Sequence, residues 1–157
     1  MTEYVSLASA ESAWRGYDYY KRNKVLTVEP CGEAQYKGRV SGSNENVYDV
    51  RIGLKHPRLD SKCTCPHALG RRLICKHMVA LYFAAFPDKA ESYYSEQLRY
   101  AEECEQWEQE MSDALNKALS KMTKSELRDA LESLLEECPE WLYDRFLQEY
   151  VEQYYLE

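Results

Sequence analysis

The amino-acid sequence predicts an α+β fold in which a small antiparallel sheet precedes an all-helical C-terminal half. Apolar and polar residues alternate over residues 47–54, which is typical of a half-buried strand. Residues 88–122 contain neither glycine nor proline, and their apolar residues recur at an average step of about 3.5 residues, which is typical of a helix. The chain of 157 residues is 45% hydrophobic and 30% charged, so it can bury a core without disulfide bonds.

The first part of the chain combines one helix with several short strands. The spacing of apolar residues predicts a helix over residues 10–22. Its expected buried face carries Ala10, Ala13, Trp14, Tyr17 and Tyr20. Short β-branched or alternating runs predict strands and one further extended segment, at residues 25–28, 33–40, 47–54 and 59–65. The polar stretch at residues 41–46 is typical of a hairpin turn, so we expect an antiparallel sheet of three or four strands.

The second part of the chain has helical periodicity throughout. A helix is predicted over residues 73–86, and Pro87 either ends it or begins the next helix. Residues 88–122 predict one long amphipathic helix, and Thr123 to Glu126 form a capping box that begins another. That helix is expected to bury Leu127, Leu131, Leu134 and Leu135, and a last helix from Pro139 carries Leu142, Phe146, Tyr150 and Tyr154. The predicted domains are residues 1–87, with the first helix and the sheet, and residues 88–157, the helical extension.

The charge is divided unevenly along the chain. Residues 1–90 contain 14 Lys and Arg against 9 Asp and Glu, a net charge of +5, whereas residues 91–157 contain 6 against 18, a net charge of −12. A basic first part favours an acidic partner such as nucleic acid, and an acidic helical part is typical of a solvated helix surface. Long apolar runs are missing and the N-terminus does not resemble a secretory signal, which predicts a cytoplasmic protein without a membrane span.

Three of the six cysteines lie close together and are followed by a histidine. Cys63, Cys65, Cys75 and His77 form a C-x-C-x9-C-x-H pattern. Clustered cysteines in a reducing compartment are typical metal ligands, and three thiols with one imidazole suit a closed tetrahedral zinc site. Residues i and i+2 share a face in a strand but point apart in a helix. We therefore predict one structural Zn²⁺ ion, with Cys63 and Cys65 on a strand, Cys75 just before a helix, and His77 in its first turn.

Two other histidines, His56 and His67, are rival nitrogen ligands. His67 closely follows the C-x-C-P turn and is expected to point away, so His77 is the predicted ligand. The remaining cysteines have no partner at ligand spacing and are predicted to be ordinary small buried apolar residues: Cys31, Cys104 and Cys138.

The segment Cys63-Thr64-Cys65-Pro66, followed by Cys75-Lys76-His77-Met78-Val79-Ala80, resembles the SWIM zinc finger. All four ligand types match the family pattern of C-x-C and C-x-H on a short β-β-α scaffold, and the resemblance extends over residues 10–86. The family occurs in chromatin-remodelling ATPases, transposases, recombination accessory proteins and ubiquitin ligases. Its members are proposed to bind DNA or protein. The resemblance therefore implies DNA, or a protein such as a remodelling ATPase, as the partner.

Two functions are predicted as alternatives. The first is an adapter that associates with DNA or RNA through basic side chains near the finger: Lys55, Arg58, Lys62, Arg71, Arg72 and Lys76. A second basic group comprises Arg15, Lys21, Arg22, Lys24, Lys37 and Arg39. These cations equally suit the neutralisation of a thiolate cluster. The second function is a protein-interaction module that uses the acidic helices, with self-association through the long helix as one form. The sequence contains no catalytic zinc motif, P-loop or nucleophile elbow, so no enzyme activity is predicted.

Overall fold

The computed structural model describes residues 4–43 and 46–152, and it has the predicted α+β fold. A four-stranded antiparallel sheet lies in the N-terminal part, and helices make up the C-terminal part. The chain divides into two compact units, residues 1–102 and residues 103–157. The predicted domain boundary at residues 87 and 88 lies where one helix ends and the next begins, and the buried residues of the first unit continue to Tyr93.

Helix α1, Ala10–Lys21, packs against helix α3, Lys76–Ala85. Ser9 caps α1, because its side chain accepts a hydrogen bond from the backbone N–H of Ser12 at 3.2 Å. Ala13 and Tyr17 are buried as predicted and Tyr20 is half-buried, but the expectations for Ala10 and Trp14 are wrong, since both are exposed, Trp14 to 48%. Trp14 instead stacks on Tyr17 at the rim of the core, with a centroid distance of 5.9 Å.

The strands of the sheet follow one another in the order β1-β2-β3-β4. Their bounds are Val25–Gly32, Gln35–Ser41, Val47–Gly53 and Lys62–Cys63. Strand β1 is longer than predicted because it is an edge strand, where Pro30 removes no hydrogen bond that the sheet needs. The predicted start of β2 at Glu33 is wrong, because Gly32 pairs with Gln35 and Ala34 has a φ of 54°, so both intervening residues form the turn. Residues 44 and 45 of the predicted turn at 41–46 lie outside the described residues.

One face of the sheet contributes to the hydrophobic core, and the other faces solvent. Val40, Val50 and Ile52 are buried on the inner face, and α3 contacts both β2 and β3. Helix α3 is buried on every side, with seven consecutive buried residues from His77 to Phe83. Ala90 and Tyr93 complete the core of the first unit.

The segment between β3 and α3 differs in detail from the prediction. A short helix α2, Pro57–Asp60, occupies the start of the predicted extended segment, because proline is well suited to the first position of a helix. The predicted helix over residues 73–86 instead spans Lys76–Ala85, and residues 73–75 belong to the segment that leads into it.

The C-terminal helices are present, but they bury much less than predicted. Helices α4, α5 and α6 span Pro87–Leu119, Lys124–Glu137 and Glu140–Phe146, and a π-helical turn follows at Leu147–Val151. The capping box is confirmed: Glu126 N–H donates to Thr123 Oγ1 at 3.3 Å, and Thr123 N–H donates to Glu126 Oε2 at 2.7 Å. The predicted burial of Leu127, Leu131 and Leu134 is wrong, since all three are exposed, and Leu135 is half-buried.

The reason for this difference is that periodicity specifies which side chains share a helix face and not what covers that face. Between residues 103 and 152, no described residue is buried. Tyr154 of the predicted last helix lies outside the described residues. Among the described helices, none combines the length and the apolar character that a membrane span requires.

Candidate metal centre

The short strand β4 and the two residues after it direct two cysteines to the inner side of the sheet. Cys63 lies opposite Val50 in the antiparallel register. The pairing continues beyond β4, because Thr64 N–H donates to the Asp49 carbonyl at 3.1 Å, and Asp49 N–H donates to Thr64 Oγ1 at 3.0 Å. Thr64 is exposed, whereas Cys63 and Cys65 on either side of it are buried. The strand alternation inferred from the C-x-C spacing is therefore present.

A tight loop leads from Cys65 towards α3. The Cys65 carbonyl accepts backbone hydrogen bonds from Ala68 at 3.0 Å and from Leu69 at 2.9 Å. Gly70 follows with a φ of 72°, a left-handed conformation that glycine adopts without strain. Ile74 then forms an isolated parallel bridge with Ala8, which anchors the end of the loop to the N-terminal segment.

The start of α3 brings the other two candidate ligands to the same place. Cys75 is the N-cap residue, with extended φ and ψ angles of −93° and 166°, and His77 is the second residue of the helix. The Cys75 carbonyl accepts the backbone N–H groups of Met78 at 3.0 Å and Val79 at 3.1 Å. The helix thus begins where the C-x-H spacing predicts, because only a non-helical Cys75 allows both side chains to converge.

The four side chains form one buried cluster. One ligand atom from each of Cys63, Cys65, Cys75 and His77 lies within 4.8 Å of the others. Cys63 Sγ is 3.7 Å from His77 Nδ1, and His77 Nε2 is buried with no hydrogen-bond partner among the described residues. A tetrahedral zinc ion with bonds of about 2.3 Å to sulfur would separate the sulfurs by about 3.8 Å. The donor set and its spacing therefore fit one structural zinc ion.

The three thiols of the cluster do not ionise alike. The pKa of Cys75 is lowered to about 4, first because the Cys63 thiol donates a hydrogen bond to it, and further because His77 stabilises its thiolate. The same hydrogen bond, together with burial, raises the pKa of Cys63, and burial raises the pKa of Cys65. Zinc would hold all three sulfurs as thiolates, because metal binding displaces thiol protons.

Two tyrosines that the sequence analysis did not assign to the site contact the histidine. The rings of Tyr19 and Tyr48 lie 5.4 Å and 4.7 Å from the His77 ring, measured between centroids. Tyr19 Oη also accepts a hydrogen bond from Lys76 Nζ at 2.8 Å. These contacts restrict the orientation of the imidazole. No sequence signal identified them, because α1 and β3 meet α3 only in the tertiary structure.

The rival ligands lie outside the cluster. His56 and His67 are exposed, and His67 lines a cavity of about 230 Å³ beside Cys65 and Cys75. Cys31, Cys104 and Cys138 are half-buried. Among the described residues, the only group of Cys, His, Asp and Glu side chains arranged to hold a metal ion is the predicted one.

The basic residues predicted to contact nucleic acid have different surroundings. Lys55 forms an ion pair with Glu33 at 2.8 Å, and Lys76 is half-buried against Tyr19. The other four are exposed: Arg58 in α2, Lys62 in β4, and Arg71 and Arg72 in the loop before α3. Only Lys62 among the six lies on a strand, where it has fixed cross-strand neighbours.

Comparison with known proteins identifies the segment that contains the cluster. Residues 48–86 match the family model of the SWIM zinc finger. No curated protein and no solved structure gives a significant match to the chain. The matched segment includes β3, β4, the loop and α3, and all four residues of the cluster lie within it. Residues 48–86 are therefore a SWIM zinc finger with a four-residue site for one zinc ion.

Proposed function

We propose that this protein is a zinc-stabilised adapter that binds nucleic acid through the outer face of its sheet. The observation that carries the proposal is a row of three cations on adjacent strands: Lys37 lies opposite Arg51, and Arg51 lies opposite Lys62. Like charges directly opposite each other destabilise a sheet. A polyanion that binds across the row would remove this repulsion.

The surroundings of the row also favour a phosphate backbone. On strand β1, Glu29 lies opposite Lys37 at the end of the row, and the two form an exposed ion pair of 3.4 Å. In the next row, Arg39 lies between Thr27 and Asp49. These side chains line a broad depression of about 650 Å³ on the outer face. Lysine and arginine contacts with phosphates supply affinity that does not depend on base sequence.

The zinc ion has a structural role in this proposal. It would connect the end of β4 to the first turn of α3, and so hold the strand that carries Lys62 against the core. A catalytic zinc ion keeps an open coordination position, whereas the four donors here fill a tetrahedral shell. The donor set therefore supports a scaffold and not an enzyme.

Charge reversal on the row tests the proposal. The triple variant Lys37→Glu, Arg51→Glu and Lys62→Glu is compared with a control of equal charge change at exposed positions of helices α1, α4 and α5, namely Lys21→Glu, Lys89→Glu and Arg128→Glu. Fluorescence anisotropy with labelled single-stranded and duplex oligonucleotides measures affinity between about 50 and 200 mM salt. The plot of log K against log salt has a negative slope. We expect only the row variant to make this slope shallower, by about 2 to 3.

The comparison of the two oligonucleotides identifies the form of nucleic acid that binds. A zinc-loaded wild-type protein that binds neither oligonucleotide at low salt would refute the proposal. Equal losses of affinity in the row variant and its control would show that net charge is responsible and that the row is not a site.

A second candidate function is protein binding through the helical unit, residues 103–157. It is favoured by the exposure of large apolar side chains on all three helices, such as Trp107, Leu134 and Trp141. Water-exposed apolar surface of this extent is typical of a protein interface. Affinity purification from the native host would compare the wild type with the Leu134→Glu, Trp141→Glu variant. A partner that both proteins retain equally would contradict this candidate.

A further inference from the structure

The apolar side chains of α4 within the helical unit are arranged symmetrically about Met111. Trp107 and Leu115 lie four residues before and after Met111, and Cys104 and Ala118 lie seven residues before and after it. Positions separated by four or seven residues share one face of a helix. These five residues therefore form one stripe, called here the Met111 stripe, which has the same apolar spacing in both directions.

The Met111 stripe is accessible in the structure. The exposed fractions of Trp107, Met111 and Leu115 are 62%, 50% and 59%. The described part of the chain therefore leaves most of their surface open to solvent. A protein partner that covers the stripe would remove this apolar surface from water, which favours association.

The symmetry of the stripe specifies the kind of partner. In a two-fold interface, residue i of one copy contacts residue j of the other, and j contacts i. An antiparallel pair with its axis at Met111 would place Trp107 beside Leu115 of the second copy, and Cys104 beside Ala118 of the second copy. Met111 would meet Met111 of the second copy at the axis. Every layer of such an interface is apolar, and each pairs a larger side chain with a smaller one, except at the axis.

The distribution of charge along the helix specifies the direction. Residues 103–113 of α4 contain five acids and no base, whereas residues 114–119, which complete the helix, contain Lys117 and no acid. A parallel pair would bring the two acidic segments together, which like-charge repulsion opposes. An antiparallel pair centred on Met111 instead places Lys117 of each copy opposite Glu105 of the other, and this charge complementarity disfavours the parallel arrangement.

We propose that the Met111 stripe binds the Met111 stripe of a second copy, and that the chain forms an antiparallel homodimer through α4. The proposal rests on the second candidate function and names its partner. Nucleic acid is a poor occupant because the segment around the stripe is acidic, and an unrelated protein would not require the two-fold symmetry of the pattern.

The oligomeric state of the full-length protein tests the proposal. Light scattering after size exclusion should give twice the chain mass of 18.5 kDa. Met111→Glu places two carboxylates against each other at the axis and should give a monomer. Ser112→Glu adds the same charge one residue away and off the stripe, so it should remain dimeric. Circular dichroism establishes that both variants keep their helices.

Cross-linking tests the direction. In a background of Cys31→Ser and Cys138→Ser with zinc bound, Ala118→Cys should form a disulfide-linked dimer with Cys104 of the second copy under mild oxidation by copper phenanthroline. The same background without Ala118→Cys should not cross-link, because an antiparallel pair separates the two Cys104 side chains by about 21 Å along the helix.

A monomeric wild type would overturn the proposal, as would a dimer that persists in Met111→Glu. Cross-linking through Cys104 without Ala118→Cys would indicate a parallel pair and overturn the stated direction. A monomeric wild type that still retains a host protein through Leu134 and Trp141 would refute the homodimer but not the second candidate function.

Discussion

Both units of this chain contain helices with regularly spaced apolar residues, but they bury these residues to very different extents. In the first unit, α3 is covered by α1 and by the inner face of the sheet, and seven of its residues in succession are buried. In the helical unit, no residue between 103 and 152 is buried, although the leucines of α5 follow regular helical spacing. Regularly spaced apolar residues thus do not produce burial by themselves, because burial requires another segment that covers them.

The units also differ in what stabilises them. The first unit has a continuous hydrophobic core and a zinc site that joins strand to helix. The helical unit depends more on helix propensity and capping, because helices gain most of their stability from packing and none of residues 103–152 is buried. Four changes to the chain test this difference, and they are described from the largest expected effect to the smallest.

Loss of one zinc ligand should unfold the first unit. Zinc binding contributes about 10–16 kcal/mol in zinc-finger peptides, more than the net stability of most domains. We expect Cys75→Ser to reduce the metal content from about one zinc per chain to none and to abolish the cooperative thermal transition of residues 4–102. Helices α5 and α6 should persist. Metal analysis and circular dichroism measure these outcomes.

The matched control replaces the three cysteines outside the cluster, Cys31, Cys104 and Cys138, with serine. This variant should keep its zinc. Loss of metal in the control, or full metal content in Cys75→Ser, would contradict the assignment of the ligands.

Truncation of a buried aromatic side chain in the first unit should lower the free energy of unfolding much more than truncation of an exposed one in the helical unit. Phe83 is fully buried and contacts the rings of Tyr17 and Tyr93. We expect Phe83→Ala to lower the free energy of unfolding by about 3–5 kcal/mol. Trp141→Ala, at an exposed position of α6, should change it by less than about 0.5 kcal/mol. Urea denaturation measures both, and equal losses would mean that α6 is covered in solution.

A methyl group at Gly16 should disturb the contact between α1 and α3. A Cβ at this position would lie 2.5 Å from Val79 Cβ and 2.9 Å from the Lys76 carbonyl oxygen, next to the zinc site. We expect Gly16→Ala to cost about 1–3 kcal/mol. Gly32→Ala is the control, because the nearest atom is the flexible end of Gln35. The midpoint of thermal denaturation should be lower for Gly16→Ala than for Gly32→Ala. Similar midpoints would indicate that α1 and α3 pack less closely than the structure shows.

The smallest effect is expected at the cap of α5. Thr123→Ala removes the side-chain acceptor for Glu126 N–H and should cost about 1 kcal/mol of helix stability, whereas Thr123→Ser should be nearly neutral. Hydrogen exchange of the α5 amides measures the change. If Thr123→Ala and Thr123→Ser exchange alike, the cap contributes nothing.

The same cap should be sensitive to acid. Hydrogen bonds from the Thr123 backbone and side chain lower the pKa of Glu126 below its ordinary value of 4.5. Because the folded-state pKa is depressed, this stabilisation is fully present above pH 4.5 and is lost as the pH falls through the lowered value. The helicity of α5 should therefore decrease in that range in the wild type and show less pH dependence in Thr123→Ala.

The metal centre could be predicted almost completely from the sequence. Each of its two ligand pairs is local, and the chemistry of the donors is contained in the residue types. The alternation of a strand requires Cys63 and Cys65 to share a face, and helix geometry requires Cys75 to precede α3. The capping box at Thr123 was predictable for the same reason, because both of its hydrogen bonds join residues three apart.

The contacts between distant segments were decided only by the tertiary structure. The cation row depends on the register that joins Lys37, Arg51 and Lys62, and no local pattern contains that register. Trp14 shares the helical spacing of buried residues, yet it lies at the rim of the core, where the described residues leave 48% of its side chain exposed. The sequence by itself determined which residues share a strand or helix face and which donors form the zinc site. Burial and register required the whole fold, because each depends on the segment that packs against a face.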